Sequence, residues 1–200
     1  MIRRATIAAI TLSVVAAVLS GCSRSPQVTF YTLGSDSKVA VLNPAKPAPS
    51  VSIANVTLPE LVDRPQLVER LAGNRVEILE THRWAEPLKN GIARLLAENL
   101  GSRLESNLVT VYPQQAPGEP DYRVAVDIRR FESSGNVVSI DAFWSIRRTA
   151  AAKPASGRSQ INESKNGDGY EALVSAYNQA IVAVGSEIAQ AIRTDWSAGR

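Results

Sequence analysis

Tyr122-Arg123-Val124-Ala125-Val126-Asp127-Ile128-Arg129-Arg130-Phe131 and Val137-Val138-Ser139-Ile140-Asp141-Ala142-Phe143-Trp144-Ser145-Ile146-Arg147-Arg148 alternate in side-chain character, and the residues between them include Ser133-Ser134-Gly135-Asn136. A period of two places alternate side chains on opposite faces of a strand, and the join is made of turn formers, so the pair reads as a long β-hairpin. Val138, Ile140, Ala142, Trp144 and Ile146 share one face of the second arm, and that face needs a cover. Arg158 to Ser164 is more polar and reads as a third strand at the edge of this meander.

The cover comes from two helical stretches. Leu173, Tyr177, Ala180, Ile181, Val184, Ile188, Ala191 and Ile192 recur every three or four residues, the pattern of a helix from Tyr170 to Trp196 with one apolar side. Leu88, Ile92, Leu95, Leu96, Asn99, Leu100 and Leu104 repeat the pattern, with Arg94, Glu98 and Arg103 outside it and Pro87 suited to the first turn. Short β-prone runs complete the inventory: Thr29 to Leu33, Val51 to Val56 with Val51, Ile53 and Asn55 on one face, and Leu108 to Tyr112. Gln66 to Leu71 and Arg75 to Glu80 flank Ala72-Gly73-Asn74 and read as a second hairpin. Gly34 to Ser50 is a proline-containing loop. Together these predict a single layered α/β domain whose mixed, antiparallel-rich sheet is covered by two long helices.

Ahead of this body the chain begins Met1-Ile2-Arg3-Arg4, runs apolar from Ala5 to Leu19 and ends the run with Ser20-Gly21-Cys22. A basic start and an apolar stretch too short to span a bilayer form an export signal. Leu19-Ser20-Gly21-Cys22 matches the lipobox of bacterial lipoproteins, in which the cysteine is acylated and the leader removed. A soluble exported protein with a chance cysteine is the alternative, but Cys22 is the only cysteine of the chain. The expected organisation is a signal peptide over 1–21, a lipidated tether over 22–28 and the α/β domain over 29–200. Eight steps separate Cys22 from Phe30, at most roughly 26–29 Å when extended, which keeps the body near a membrane surface.

Loss of Arg3 and Arg4 with the leader leaves 20 basic against 19 acidic residues, a balance of +1, so the isoelectric point near 9.2 does not argue for nucleic acid. No basic run exceeds two residues. With Cys22 acylated no thiol remains for a disulfide, a nucleophile or a metal. The single histidine, His82, has no second ligand at helical or hairpin spacing and no orienting acid at a set distance. No Gly-x-Ser-x-Gly and no glycine-rich phosphate cradle occur; Gly167-Asp168-Gly169 lacks the third glycine. The chain is therefore expected to be no enzyme, and to hold no metal and no cofactor.

Two segments carry more punctuation than scaffolding needs: Leu58-Pro59-Glu60-Leu61-Val62-Asp63-Arg64-Pro65-Gln66-Leu67-Val68 and His82-Arg83-Trp84-Ala85-Glu86-Pro87-Leu88. As a surface they offer a paired partner-binding site, with Arg64 and Arg83 as anchors and Trp84 as the aromatic. As structure they are a proline-pinned turn and a pinned helix start, with Arg64 and Glu86 free to pair.

These segments, the lipobox, the strand Phe30-Tyr31-Thr32-Leu33 and the terminal Asp168-Gly169-Tyr170 stand in the same order as in the PqiC family, which the chain resembles over nearly all of its mature length. Those proteins are auxiliary lipoproteins of MCE-type ABC transport systems. The resemblance implies an α/β body with packed helices and a non-catalytic place in lipid traffic between two membranes, docking or stabilising an MCE-domain protein. Ser23 after the lipidated cysteine, rather than the aspartate that retains lipoproteins in the inner membrane, implies the outer membrane, facing the periplasm. A short tether on one membrane also favours a homo-oligomer, with the edges at Thr29–Leu33 and Arg158–Ser164 available for pairing. The alternatives are a structural envelope lipoprotein gripping peptidoglycan or an assembly machine and, further off, an envelope hydrolase.

Overall fold

The computed structural model describes residues 26–34, 47–114, 118–149 and 154–198. The leader, Cys22 and most of the Gly34–Ser50 loop lie outside the described residues. Among the described residues eight strands and two helices follow one another as β1 (Thr29–Tyr31), β2 (Val51–Thr57), β3 (Gln66–Arg70), β4 (Val76–Trp84), α1 (Leu88–Leu104), β5 (Val109–Val111), β6 (Tyr122–Ser134), β7 (Val137–Arg148), β8 (Ala155–Ser164) and α2 (Gly169–Ala198).

The strands form two sheets rather than one. The smaller has the order β1-β4-β3, with β1 parallel and β3 antiparallel to β4. The larger has the order β5-β2-β6-β7-β8, with β2 parallel to both β5 and β6 and the rest an antiparallel meander. The predicted hairpin is intact: Tyr122 pairs with Arg148 and Ser134 with Val137. Val138, Ile140, Ala142 and Ile146 face the core as the alternation requires, and Trp144 is half-buried beside them. The third strand is present, begins earlier, at Ala155, and is one edge of the larger sheet, β5 being the other.

At β2 the alternation fails in an instructive way. Val51 and Ile53 are buried as expected, but Asn55 is exposed and Val56 takes the inward place. The register with β6 slips between Ile53 and Asn55, so one extra residue is inserted and every later side chain changes face. The bulge keeps the amide in water and puts a valine in the core. At the start of β2, Ser50 donates through its backbone N–H (2.8 Å) and hydroxyl (2.7 Å) to Asp121, tying β2 to β6.

Each helix buries the stripe read from its spacing. On α1 Leu88, Ile92, Leu95, Leu96, Leu100 and Leu104 are buried; on α2 Leu173, Tyr177, Ala180, Ile181, Val184, Ile188 and Ile192 are. The helices touch closely at Gly185, where an added Cβ would stand 2.5 Å from Oδ1 of Asn99. On the sheet, Gly157 of β8 lies under the indole of Trp144, whose Nε1–H donates to Ser159 Oγ (3.0 Å). Glycine is required at both places by close approach, since any side chain meets a packed neighbour. Leu100 is fully buried, so Leu100→Ala should lower the unfolding free energy by about 2–5 kcal/mol in urea denaturation.

At the outer edge Arg158 donates to both oxygens of Asp141 (2.8 and 2.7 Å), and these hydrogen bonds hold the Asp141 carboxyl below the usual carboxylate range. A carboxylate so depressed contributes stability that is complete above its unfolded value, about 3.9, and is lost as the pH falls through its lower folded value. Acid titration of unfolding should therefore show a shallower loss below about pH 4 in Arg158→Gln than in the natural chain.

Candidate functional site

The two heavily punctuated segments meet although 13 residues, 69–81, separate Val68 from His82. After the turn at Leu58–Pro65, β3 enters the small sheet beside the far end of β4, and the Trp84 N–H donates to the Pro65 carbonyl (2.7 Å). The Ala85 N–H donates to the Tyr31 carbonyl (2.8 Å), so the end of β4 is held from both sides. α1 then starts from Pro87, which carries no side-chain cap. Between these pieces lies an open groove of about 310 Å³, lined by Asp63, Arg64, Pro65, Trp84, Ala85, Glu86, Pro87 and Leu88.

Of the three residues proposed from the sequence as a partner site, the structure brings Arg64 and Trp84 into this groove. Arg83 is turned to the opposite face of β4, as strand alternation demands. There its Nε–H donates to the Glu80 carbonyl (2.9 Å), and Gln66 Nε2 also reaches the Glu80 carboxylate (3.0 Å). Trp84 shows the groove only part of its ring. The residue is 6% exposed and stands edge-on to Phe131 and Tyr177, with centroids 6.5 and 6.2 Å away. Phe131 and Tyr177 stack at 4.1 Å with planes 3° apart. Burial raises the Tyr177 hydroxyl well above the ordinary tyrosine range, so it stays neutral.

Electrostatically the groove has one unpaired charge. The expected pairing of Arg64 with Glu86 is not made, because Glu86 is taken by Arg94 (2.7 Å), which reaches on to Glu98 (3.1 Å) and the Leu33 carbonyl. The hydrogen bond that Arg94 donates to Glu86 raises its guanidinium further above the ordinary value. Asp63 lies 3.4 Å from Lys89 Nζ. Among the described residues Arg64 makes no side-chain hydrogen bond or ion pair, and its Nε is buried. Spacing had no means of showing this: the competitor Arg94 stands eight residues beyond Glu86, on the second turn of α1.

His82 meets Tyr170. Their ring centroids are 3.9 Å apart, and His82 Nδ1 lies 2.9 Å from the Tyr31 hydroxyl. The only imidazole of the chain is thus half-buried between Tyr31 of β1 and Tyr170 at the start of α2. Burial raises the hydroxyls of both tyrosines, with nearby carboxylates adding to it. Among the described residues no group of three or more His, Cys, Asp and Glu is arranged to hold a metal ion, and no helix is long and apolar enough to cross a membrane.

A family profile described as "ABC-type transport auxiliary lipoprotein component" matches residues 31–189. The chain belongs to this family. Its matched region runs from the last residue of β1 deep into α2 and so contains the groove, the larger sheet, β3, β4 and the His82–Tyr170 contact. The family, of which PqiC is the type, supplies auxiliary components of ABC-type transport. A protein from Xanthomonas campestris of known structure has the same fold, with a TM-score of 0.65 at 18% identity over 86% of this chain and 100% of that one. A second crystal structure, of an uncharacterised protein, gives 0.67 at 18% identity over 84% and 99%. No curated protein matches the chain.

Trp84 belongs to the core and Arg64 does not, and stability measurements separate the two. Trp84→Ala should cost about 3–5 kcal/mol, whereas Arg64→Gln, which breaks no bond, should stay within about 0.5 kcal/mol of the natural chain in chemical denaturation.

Proposed function

We propose that this auxiliary lipoprotein is a non-catalytic, lipid-anchored component of an MCE-type intermembrane lipid transport system, held at the outer membrane and docking or stabilising an MCE-domain partner in the periplasm. The observation that carries the reading is the coincidence of the transport-auxiliary family match over 31–189 with the lipobox Leu19-Ser20-Gly21-Cys22 ahead of it. Leader removal at residue 21 leaves Cys22 seven steps from Thr29, the start of β1, at most roughly 23–25 Å. β1 is an edge strand, so the tether leaves the body at the border of the small sheet. A body leashed this closely presents its surface to a partner at high local concentration, which also supports assembly of several copies.

Three acyl chains, at about 0.8 kcal/mol per buried methylene, exceed the two-signal threshold for lasting attachment. The absence of an aspartate at position 23 supports the outer membrane. What supports a role without catalysis is the state of the reactive groups: the thiol is spent on lipid, and the imidazole is packed against Tyr170 and bonded to Tyr31.

Mass spectrometry of purified membranes should find Cys22 as the triacylated first residue, and Cys22→Ala should convert a membrane-bound protein into a soluble or unprocessed one. Cross-linking in native envelopes followed by capture of a tagged copy should recover an MCE-domain protein. Deletion should lower resistance to detergents, and a folded His82→Ala variant should restore it. Absence of any MCE protein, with resistance unchanged on deletion, defeats the assignment; loss of function in folded His82→Ala returns the envelope hydrolase.

A further inference from the structure

We infer that the groove at the start of α1 receives an acidic, apolar-flanked segment of the partner, with a carboxylate paired to Arg64 and the neighbouring apolar side chain laid against Pro65, Trp84, Pro87 and Leu88. The inference rests on the transport reading above, because the segment belongs to that partner.

Arg64 is the reason for the carboxylate. A buried N–H without an acceptor is rare in a folded chain, and the Arg64 Nε is such a group. Its own neighbourhood does not answer it: Lys89 stands against Asp63 and Arg94 against Glu86, so both acids of the groove already face cations. The Nε is closed off from solvent, so a carboxylate reaches the guanidinium end-on, its two oxygens matching the fork of the two terminal amino groups, which are neither buried nor bonded among the described residues. The start of α1 lies at the same place, with no acid in its first turn and no side-chain cap, so the helix dipole adds to the positive potential.

The walls are the reason for the apolar neighbour. Pro65, Trp84, Ala85, Pro87 and Leu88 offer mostly hydrocarbon, and two of them are prolines with fixed φ. Trp84 is further held by Phe131 and Tyr177. Such walls are already in place before binding and need little ordering. A volume near 310 Å³ is at the small end of ligand clefts and suits one or two side chains. A lipid phosphate also satisfies a guanidinium, but a phosphate site gathers several free cations, and here Lys89 and Arg94 are engaged.

The test uses the full lipidated chain in its envelope, with a photo-cross-linking residue at Pro65 on the groove rim and, as control, at Ser156 on β8. The expected result is a cross-link from position 65, and not from 156, to an MCE-domain protein at a peptide containing Asp or Glu beside an apolar residue. Binding of that purified partner to the natural chain in nanodiscs should weaken roughly thirtyfold or more in Arg64→Gln. Ala85→Trp, which fills the groove from an exposed position, should do the same. Arg64→Glu should be rescued by changing the cross-linked acid of the partner to arginine. If the partner is captured from position 156 but position 65 yields lipid or nothing, the groove assignment falls while the transport reading stands. Unchanged partner affinity in both Arg64→Gln and Ala85→Trp overturns it equally. If no position captures an MCE protein, the transport reading itself fails.

Discussion

Trp84, Phe131 and Tyr177 come from three different layers of the molecule: the small sheet, the large sheet and α2. Their rings meet in one cluster, Tyr177 stacked on Phe131 and Trp84 edge-on to both. The small sheet is also tied to the rest where β3 lies against β6, with Arg70 donating to Glu132 (2.6 Å), and where His82 packs on Tyr170 of α2. Each ring carries a large apolar area, and the edge and stacked geometries add about 0.5–1.5 kcal/mol per pair beyond burial. The cluster therefore sets where β4 ends relative to the larger sheet. It thereby sets the position of everything that follows, including Pro87 and the first turn of α1.

The same cluster explains why a surface groove can have firm walls. Trp84 is anchored on its inner side, its backbone N–H is bonded to Pro65, and the next N–H is bonded to Tyr31. The groove is thus built on the end of a strand and the start of a helix. His82, two residues earlier on the same side of β4, repeats the device by packing on Tyr170 at the beginning of α2. Trp84 and His82 thus each meet elements distant in sequence, and these contacts hold the end of β4.

How legible this was depends on the range of the forces involved. The β6–β7 hairpin, the edge strand β8 and both helical stripes were readable because period and burial coincide along a single element, as at Val138, Ile140 and Ala142 or at Leu88, Ile92 and Leu95. Division into two sheets was not, because local alternation does not say which strand is a neighbour: β2 joins β5 and β6 across more than 50 residues, whereas the adjacent hairpin β3–β4 joins β1. Nor was the slip at Asn55, where burial of Val56 outweighed strict alternation. Arg64 and Trp84 were visible as candidates from their setting. Their convergence was not, and neither was the separation of Arg83, which sits next to Trp84 in the chain and on the other side of the sheet.

The ion pairs around the groove matter less for stability than for what they leave over. Lys89 and Asp63 are both substantially exposed, at 50% and 39%, and such pairs contribute little to folding once screened by water and salt. Arg94 with Glu86 is only somewhat better sheltered, at 42% and 36%. Their effect is local. Each places a cation beside an acid that would otherwise be free to answer Arg64, and each does so from α1, on the far side of the groove. The helix that closes the wall thus also withholds the internal counterions. Arg64 is left lining an apolar cleft with its terminal amino groups unpaired, and an acid carried in from another molecule is the counterion that remains.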